Sequence, residues 1–260
     1  YESVIEFVGA KAVPLPLKEE NEFRVNIKDL KKLITKKTRM LIINSPQNPT
    51  GGILTLEDIK EIAQLAGEND LIVLADEIYS QIVYGDFKHY SIAAQPGMLE
   101  RTIILDGFSK TFAMTGWRLG YGVMPVELAQ AVTQLQINST SCTASFTQIA
   151  GIEGLTGPWN EVQRMVEEFK KRRDVIVDGV YSFPGFKCHR PHGAFYVFPS
   201  IKGTGMSSKE LADALLNEAG VACLSGTAFG KFGEGYIRFS YANSIPNIEK
   251  ALENIRAFMK

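Results

Sequence analysis

Three short apolar runs constrain the fold more than any other feature of the chain: RMLIINS at 39–45, LIVLAD at 71–76 and TIILD at 102–106. Each is too short for a typical helix and too uniformly apolar for a strand with one wet face, so each reads as a buried strand. Helical patterns lie between them. Asn26 to Ile34 has Asn26 as an N-cap and Asp29 in the first turn. Thr55-Leu-Glu-Asp58 is a capping box with Asp in place of Glu or Gln, and it opens a helix towards Asn69. Buried strands joined by helices predict an α/β fold with a mostly parallel sheet covered on both faces. Lys11 to Leu17 is a further candidate strand.

The second half has a different pattern. Pro158 to Tyr181 predicts a long charged helix, whose Lys170-Lys-Arg-Arg173 run reads as a solvated face. A strand at Ala194 to Phe198, a helix at Ser208 to Ala219, a strand at Tyr236 to Tyr241 and a last helix from Asn247 complete an α+β unit. The predicted division is a large domain at 1–157 and a small carboxy-terminal domain at 158–260.

Composition excludes several classes. The 28 Lys and Arg balance 29 Asp and Glu, for a net charge of −1, so no nucleic-acid partner is expected. The longest apolar run, Leu71 to Ala75, cannot cross a bilayer, so no membrane partner is expected either. Cys142, Cys188 and Cys223 are odd in number and widely spaced, which fits a reducing, cytoplasmic setting. The chain starts at Tyr1 without a signal-like segment and reads as if it begins inside a fold. His189-Arg-Pro-His192 carries two histidines beside Cys188, but Pro191 breaks any helical spacing and no further ligand is evident, so no metal is expected.

In parallel α/β sheets, ligands sit beyond the carboxyl ends of the strands. Three polar segments fall there in order: Ser45-Pro-Gln-Asn-Pro-Thr-Gly-Gly52, Asp76-Glu-Ile-Tyr79 and Gly107-Phe-Ser-Lys110. Any one of them alone is only a turn, a cap or a solvated lysine. Together they mark one strand edge.

These segments resemble the class I/II, fold-type-I aminotransferases that depend on pyridoxal 5'-phosphate. NPTG at Asn48 to Gly51, DEIY at Asp76 to Tyr79, SKTFAMTGWRLGY at Ser109 to Tyr121 and YIRFSYA at Tyr236 to Ala242 follow the family's order. The resemblance covers the whole chain, apart from an amino-terminal portion that the family has and this chain lacks. It implies a three-layer sandwich plus the small domain, a homodimer, and amino acid and 2-oxo acid substrates.

The resemblance also implies roles. Lys110 holds the cofactor as a Schiff base and then moves the substrate's α-proton, which needs an amine of lowered pKa. Asp76 faces the ring nitrogen and keeps it protonated. Tyr79 and Asn48 bond the ring's phenolic oxygen. Arg118 grips the phosphate with a charge-assisted fork, and Ser109 adds a hydroxyl. Gly107 stands where many members have Ser or Thr. Arg238, with Asn48, holds the substrate carboxylate bidentately. Gly193-Ala-Phe195 either approaches the substrate side chain or is simply part of a core strand. A C–S β-lyase of the same fold and a cofactor-sensing domain of a transcription regulator are the alternatives. Aspartate, aromatic and alanine specificities share every motif.

Overall fold

The computed structural model describes residues 1–260. The chain opens with α1 (Glu2–Phe7), a polar coil, and α2 (Ile27–Leu33), whose first amides are capped by the Asn26 side chain. No strand forms at 11–17. Pro14 and Pro16 remove two backbone donors from that segment, which defeats a ladder. Then β1 (Met40–Asn44), α3 (Leu56–Glu68), β2 (Ile72–Asp76) and β3 (Thr102–Gly107) follow the apolar runs closely. The Thr55–Asp58 capping box is formed in both directions. Ile59, Ile62, Ala63 and Ala66 recur at helical spacing on α3 and are buried with Val73 and Ala75 of β2.

After β3 come α4 (Phe108–Thr111), β4 (Gly120–Val123), α5 (Val126–Ser139) and α6 (Ser145–Thr156). The sheet order is β1-β2-β3-β4, parallel except for β4, which runs antiparallel to β3. Its register places Asn44 opposite Asp76 and Gly107 opposite Gly120, so the three polar segments leave from one edge. Both faces are not covered along the whole sheet: every residue of β4 is exposed.

The remaining chain forms α7 (Asn160–Tyr181), β5 (Tyr196–Val197), α8 (Ser208–Asn217), β6 (Leu224–Ser225), β7 (Ile237–Ser240) and α9 (Ile245–Phe258). The second sheet has the order β5-β7-β6 and is antiparallel. β5 is shorter than the sequence predicts, because Ala194 takes a left-handed φ of 57° and Pro199 follows the strand. α9 starts before Asn247, since the Ser244 side chain accepts from the Asn247 amide and Pro246 occupies the first turn. A core built mainly from α7, α8, α9, β5 and β7 also takes in Tyr79, Ile82 and Tyr84 from the loop after β2.

The solvated reading of 170–173 is wrong at one position. Arg173 is buried; it donates to the Pro191 carbonyl at 3.2 Å, pairs with Asp174 at 2.8 Å and lies 4.9 Å from the Tyr84 ring centre. No helix is long and apolar enough to cross a membrane.

Candidate active site

Asp76 ends β2, and its backbone carbonyl accepts from Asn44 Nδ2 at 3.0 Å. Asn44 Oδ1 in turn accepts from the Asn48 amide at 2.9 Å, which fixes the turn after β1 against the end of β2. The Asp76 carboxylate accepts from the Tyr1 hydroxyl at 2.6 Å and from the Ile78 amide at 3.3 Å. Burial, and then the hydrogen bond to Asp76 and its charge, raise the Tyr1 phenol, so it stays a donor.

Tyr79 is buried, with its hydroxyl 3.0 Å from that of Tyr196 on β5. Its ring meets Phe195 edge to face at 5.4 Å. Desolvation, followed by the Tyr196 bond, raises its pKa and keeps it protonated.

Lys110 lies on the short α4, half-buried, with Nζ 5.8 Å from the Tyr79 ring centre and 5.6 Å from that of Phe195. Its pKa is lowered, first by desolvation and then by the charges of Arg238 and Arg118, against a smaller opposing pull from Asp76. A lysine in this setting is poised to lose its proton more readily than a solvated one.

Gly107 has a steric reason. Its backbone is extended, but a Cβ there would stand 2.9 Å from Gly120 Cα and 3.1 Å from the Leu119 carbonyl oxygen. The close crossing of β3 and β4 leaves no room for the Ser or Thr common in the family. Ser109 is half-buried beside Lys110. Arg118 is exposed, takes a left-handed φ of 56° and donates to the Thr115 carbonyl at 2.9 Å.

Arg238, on β7, reaches across from the small sheet. Its Nη1 donates to Asn48 Oδ1 at 2.8 Å, and its guanidinium lies 4.3 Å from the Tyr196 ring centre and 4.9 Å from that of Phe229. Its Nε is buried without a partner. An arginine serving only to pair with a local acid would not be left this way. Gly193 makes the approach of the two sheets possible: a Cβ there would fall 2.5 Å from Pro46 Cβ. The Gly193 amide also donates to the Gly51 carbonyl at 3.0 Å.

An amine, a carboxylate, a phenol, an amide and two guanidiniums thus converge on one strand edge. That donor set complements pyridoxal phosphate, which presents an aldehyde, a basic ring nitrogen, a phenolic oxygen and a phosphate. The unpartnered Arg238 Nε leaves a cationic donor for a carboxylate. The sequence did not single out Tyr1 or Tyr196. Tyr196 follows the Gly193-Ala-Phe195 segment directly and was within reach of that reading; nothing marks Tyr1.

Residues 1–255 match the family model described as aminotransferase class I and II. The chain is 45% identical to the aspartate aminotransferase of Pyrococcus abyssi and 44% identical to aromatic-amino-acid aminotransferase 2 of Thermococcus litoralis. Each match takes in 100% of this chain and 67% of the relative, so the chain spans about two thirds of their length. The crystal structure of the aromatic aminotransferase from Pyrococcus horikoshii superposes with a TM-score of 0.96 at 45% identity, over 99% of this chain and 69% of that one. An alanine aminotransferase from Pyrococcus furiosus gives 0.90 at 33% identity, over 100% of this chain and 67% of that one. The chain belongs to the class I and II aminotransferases, enzymes that work with pyridoxal 5'-phosphate. The α/β architecture and the transaminase activity follow the resemblance read from the motifs.

Proposed function

We propose that the strand edge holding Lys110, Asp76, Tyr79, Asn48, Ser109 and Arg118, together with Arg238, moves an amino group from an L-α-amino acid to a 2-oxo acid. The observation that carries this reading is the half-buried Lys110 amine set near Arg238, whose buried Nε has no partner and whose charge, after desolvation, lowers the lysine's pKa. When bound, the cofactor supplies an aldehyde for amine exchange and an electron-withdrawing ring for carbanion chemistry. Asp76, oriented by the Tyr1 hydroxyl, would keep the ring nitrogen protonated once the cofactor is bound. Tyr79 and Asn48 would hold the phenolic oxygen, and Arg118 with Ser109 would hold the phosphate. Arg238 binds the substrate carboxylate through its fork, with Asn48 setting the fork's angle. Lys110 Nζ then takes the proton from the substrate α-carbon. Phe195, beside Lys110, meets the substrate side chain.

Specificity among aspartate, aromatic and alanine donors is not carried by these residues. A panel of amino donors against 2-oxoglutarate and pyruvate tests the activity. Ping-pong transfer supports it; release of pyruvate and ammonia from cysteine-type donors without an acceptor points instead to a β-lyase.

The division at 157/158 is part of the same reading, supported by the separate antiparallel sheet that follows α7. A homodimer is supported by the exposed apolar side chains Trp117 and Phe146 beside Arg118, a face that a second copy would bury. Phe146→Glu is expected to shift the protein to monomers in analytical ultracentrifugation. Cytoplasmic residence is supported by three free, unpaired cysteines. The 260-residue chain alone is expected to turn over more slowly than a version extended to its relatives' length, and equal rates would refute this.

A further inference from the structure

We propose that Glu22, His189 and His192 form a binding site for a transition-metal dication of the zinc type, separate from the strand edge that holds Lys110. The sequence argues against such a site because Pro191 breaks the helical spacing and no third ligand is near. The fold removes both objections. The two histidines lie on an irregular segment, where helical spacing is irrelevant, and the turn that caps Glu19–Asn21 delivers Glu22 from far along the chain. One ligand atom from each of the three side chains lies within 4.8 Å of the others. Zinc-bound atoms stand about 3.3 Å apart in a tetrahedron with metal–nitrogen bonds of about 2.0 Å. Rotation of the exposed Glu22 side chain covers much of that difference.

The second observation is independent of that proximity. Nε2 of His189 and Nε2 of His192 are both buried with no hydrogen-bond partner. Buried ring nitrogens are ordinarily satisfied. Here two are left open in the same cluster, beside a carboxylate. The rings are also held in place: Phe87 stacks on His192 at 3.8 Å, Phe23 meets His189 edge-on at 6.3 Å, and the two imidazoles meet at 5.1 Å and 79°. Burial pushes both imidazoles towards the neutral form, His192 down to about 4, so their lone pairs are available at neutral pH. Arg173, the nearby cation, is engaged by Asp174 and the Pro191 carbonyl. Two neutral imidazoles and one carboxylate suit zinc, cobalt or nickel better than calcium or magnesium, and leave a coordination position for water.

The site adjoins the Asn48 turn. The His192 amide donates to the Gly51 carbonyl at 3.0 Å, and a Cβ on Gly52 would stand 2.9 Å from the Glu22 carbonyl oxygen. A bound metal would tie these three segments together.

The test uses chelator-treated holoenzyme titrated with Zn2+ in a calorimeter and with Co2+ in a spectrophotometer. The expected result is one ion per chain, visible cobalt bands of a low-coordinate nitrogen and oxygen site, and a raised melting temperature. His189→Ala combined with His192→Ala should abolish all three. Glu22→Gln, at an exposed position where folding is safe, should weaken zinc binding at least tenfold. No binding by the wild type, equal binding by the double-histidine variant, or wild-type affinity in Glu22→Gln would each overturn the site. If circular dichroism shows the histidine variant unfolded, Glu22→Gln decides alone.

Discussion

The core around β7 and the face formed by α5 and α6 are built from similar residues and end in opposite states. Leu211, Ile237 and Tyr241 are 0% exposed, whereas Leu135, Phe146 and Ile149 are 71%, 70% and 67% exposed. α5 has no buried residue, and α6 buries only Thr147 and Gly151. An apolar side chain stabilises a fold only where something covers it. In the first region α7 and α9 provide that cover; in the second nothing in these 260 residues does. The site lies where the two meet, with Lys110 on the side of the bare face and Arg238 on the side of the packed core.

Substitutions in each region sharpen this contrast. Lys110→Ala is expected to have the largest effect, reducing transamination below detection while leaving the melting temperature close to wild type. Retained turnover would detach the chemistry from that side of the site. Leu211→Ala should cost about 2–5 kcal/mol in a denaturant titration, by opening a cavity in the packed core. Arg238→Lys should raise KM for amino acid and 2-oxo acid alike and lower kcat/KM by about ten- to a hundredfold, since an ammonium cannot reproduce the fork. An unchanged KM would remove Arg238 from substrate binding.

A pH profile separates the influence of the two sides on one amine. The rate at which apo protein captures pyridoxal phosphate should rise as Lys110 loses its proton. Arg238→Gln removes a neighbouring positive charge, so the Lys110 pKa should rise and the limb should move to higher pH. A limb that stays still or moves down would show that Arg238 does not act on Lys110. The smallest effect belongs to Ile149→Ala on the bare face, within about 0.5 kcal/mol when measured on the monomer, where that side chain is uncovered. A loss as large as that of Leu211→Ala would end the comparison.

Much of this was legible in the sequence because apolar runs and polar strand ends are local signals. β1, β2 and β3 stood in the pattern, and so did the caps of α2 and α3. The strand expected at 11–17 does not form because Pro14 and Pro16 lack the backbone donors a ladder needs. β4 was missed because its Gly120-Tyr-Gly-Val123 sequence lacks the β-branched run that marks a strand. Arg173 was read as solvated because a basic run gives no hint of which member turns inward onto Tyr84 and Pro191. Tyr1 carries no local mark as a site residue, since its partner Asp76 lies 75 positions away, and the bond that brings Tyr196 to Tyr79 spans 117. Contacts of that range depend on how the sheets dock, which no local pattern encodes.

The most direct test of the account is chemical. Protein loaded with pyridoxal phosphate is reduced with borohydride, digested, and its peptides weighed. A pyridoxyl adduct is expected on the peptide containing Lys110 and on no other lysine. Demonstrably loaded protein that yields an unmodified Lys110 peptide would contradict it.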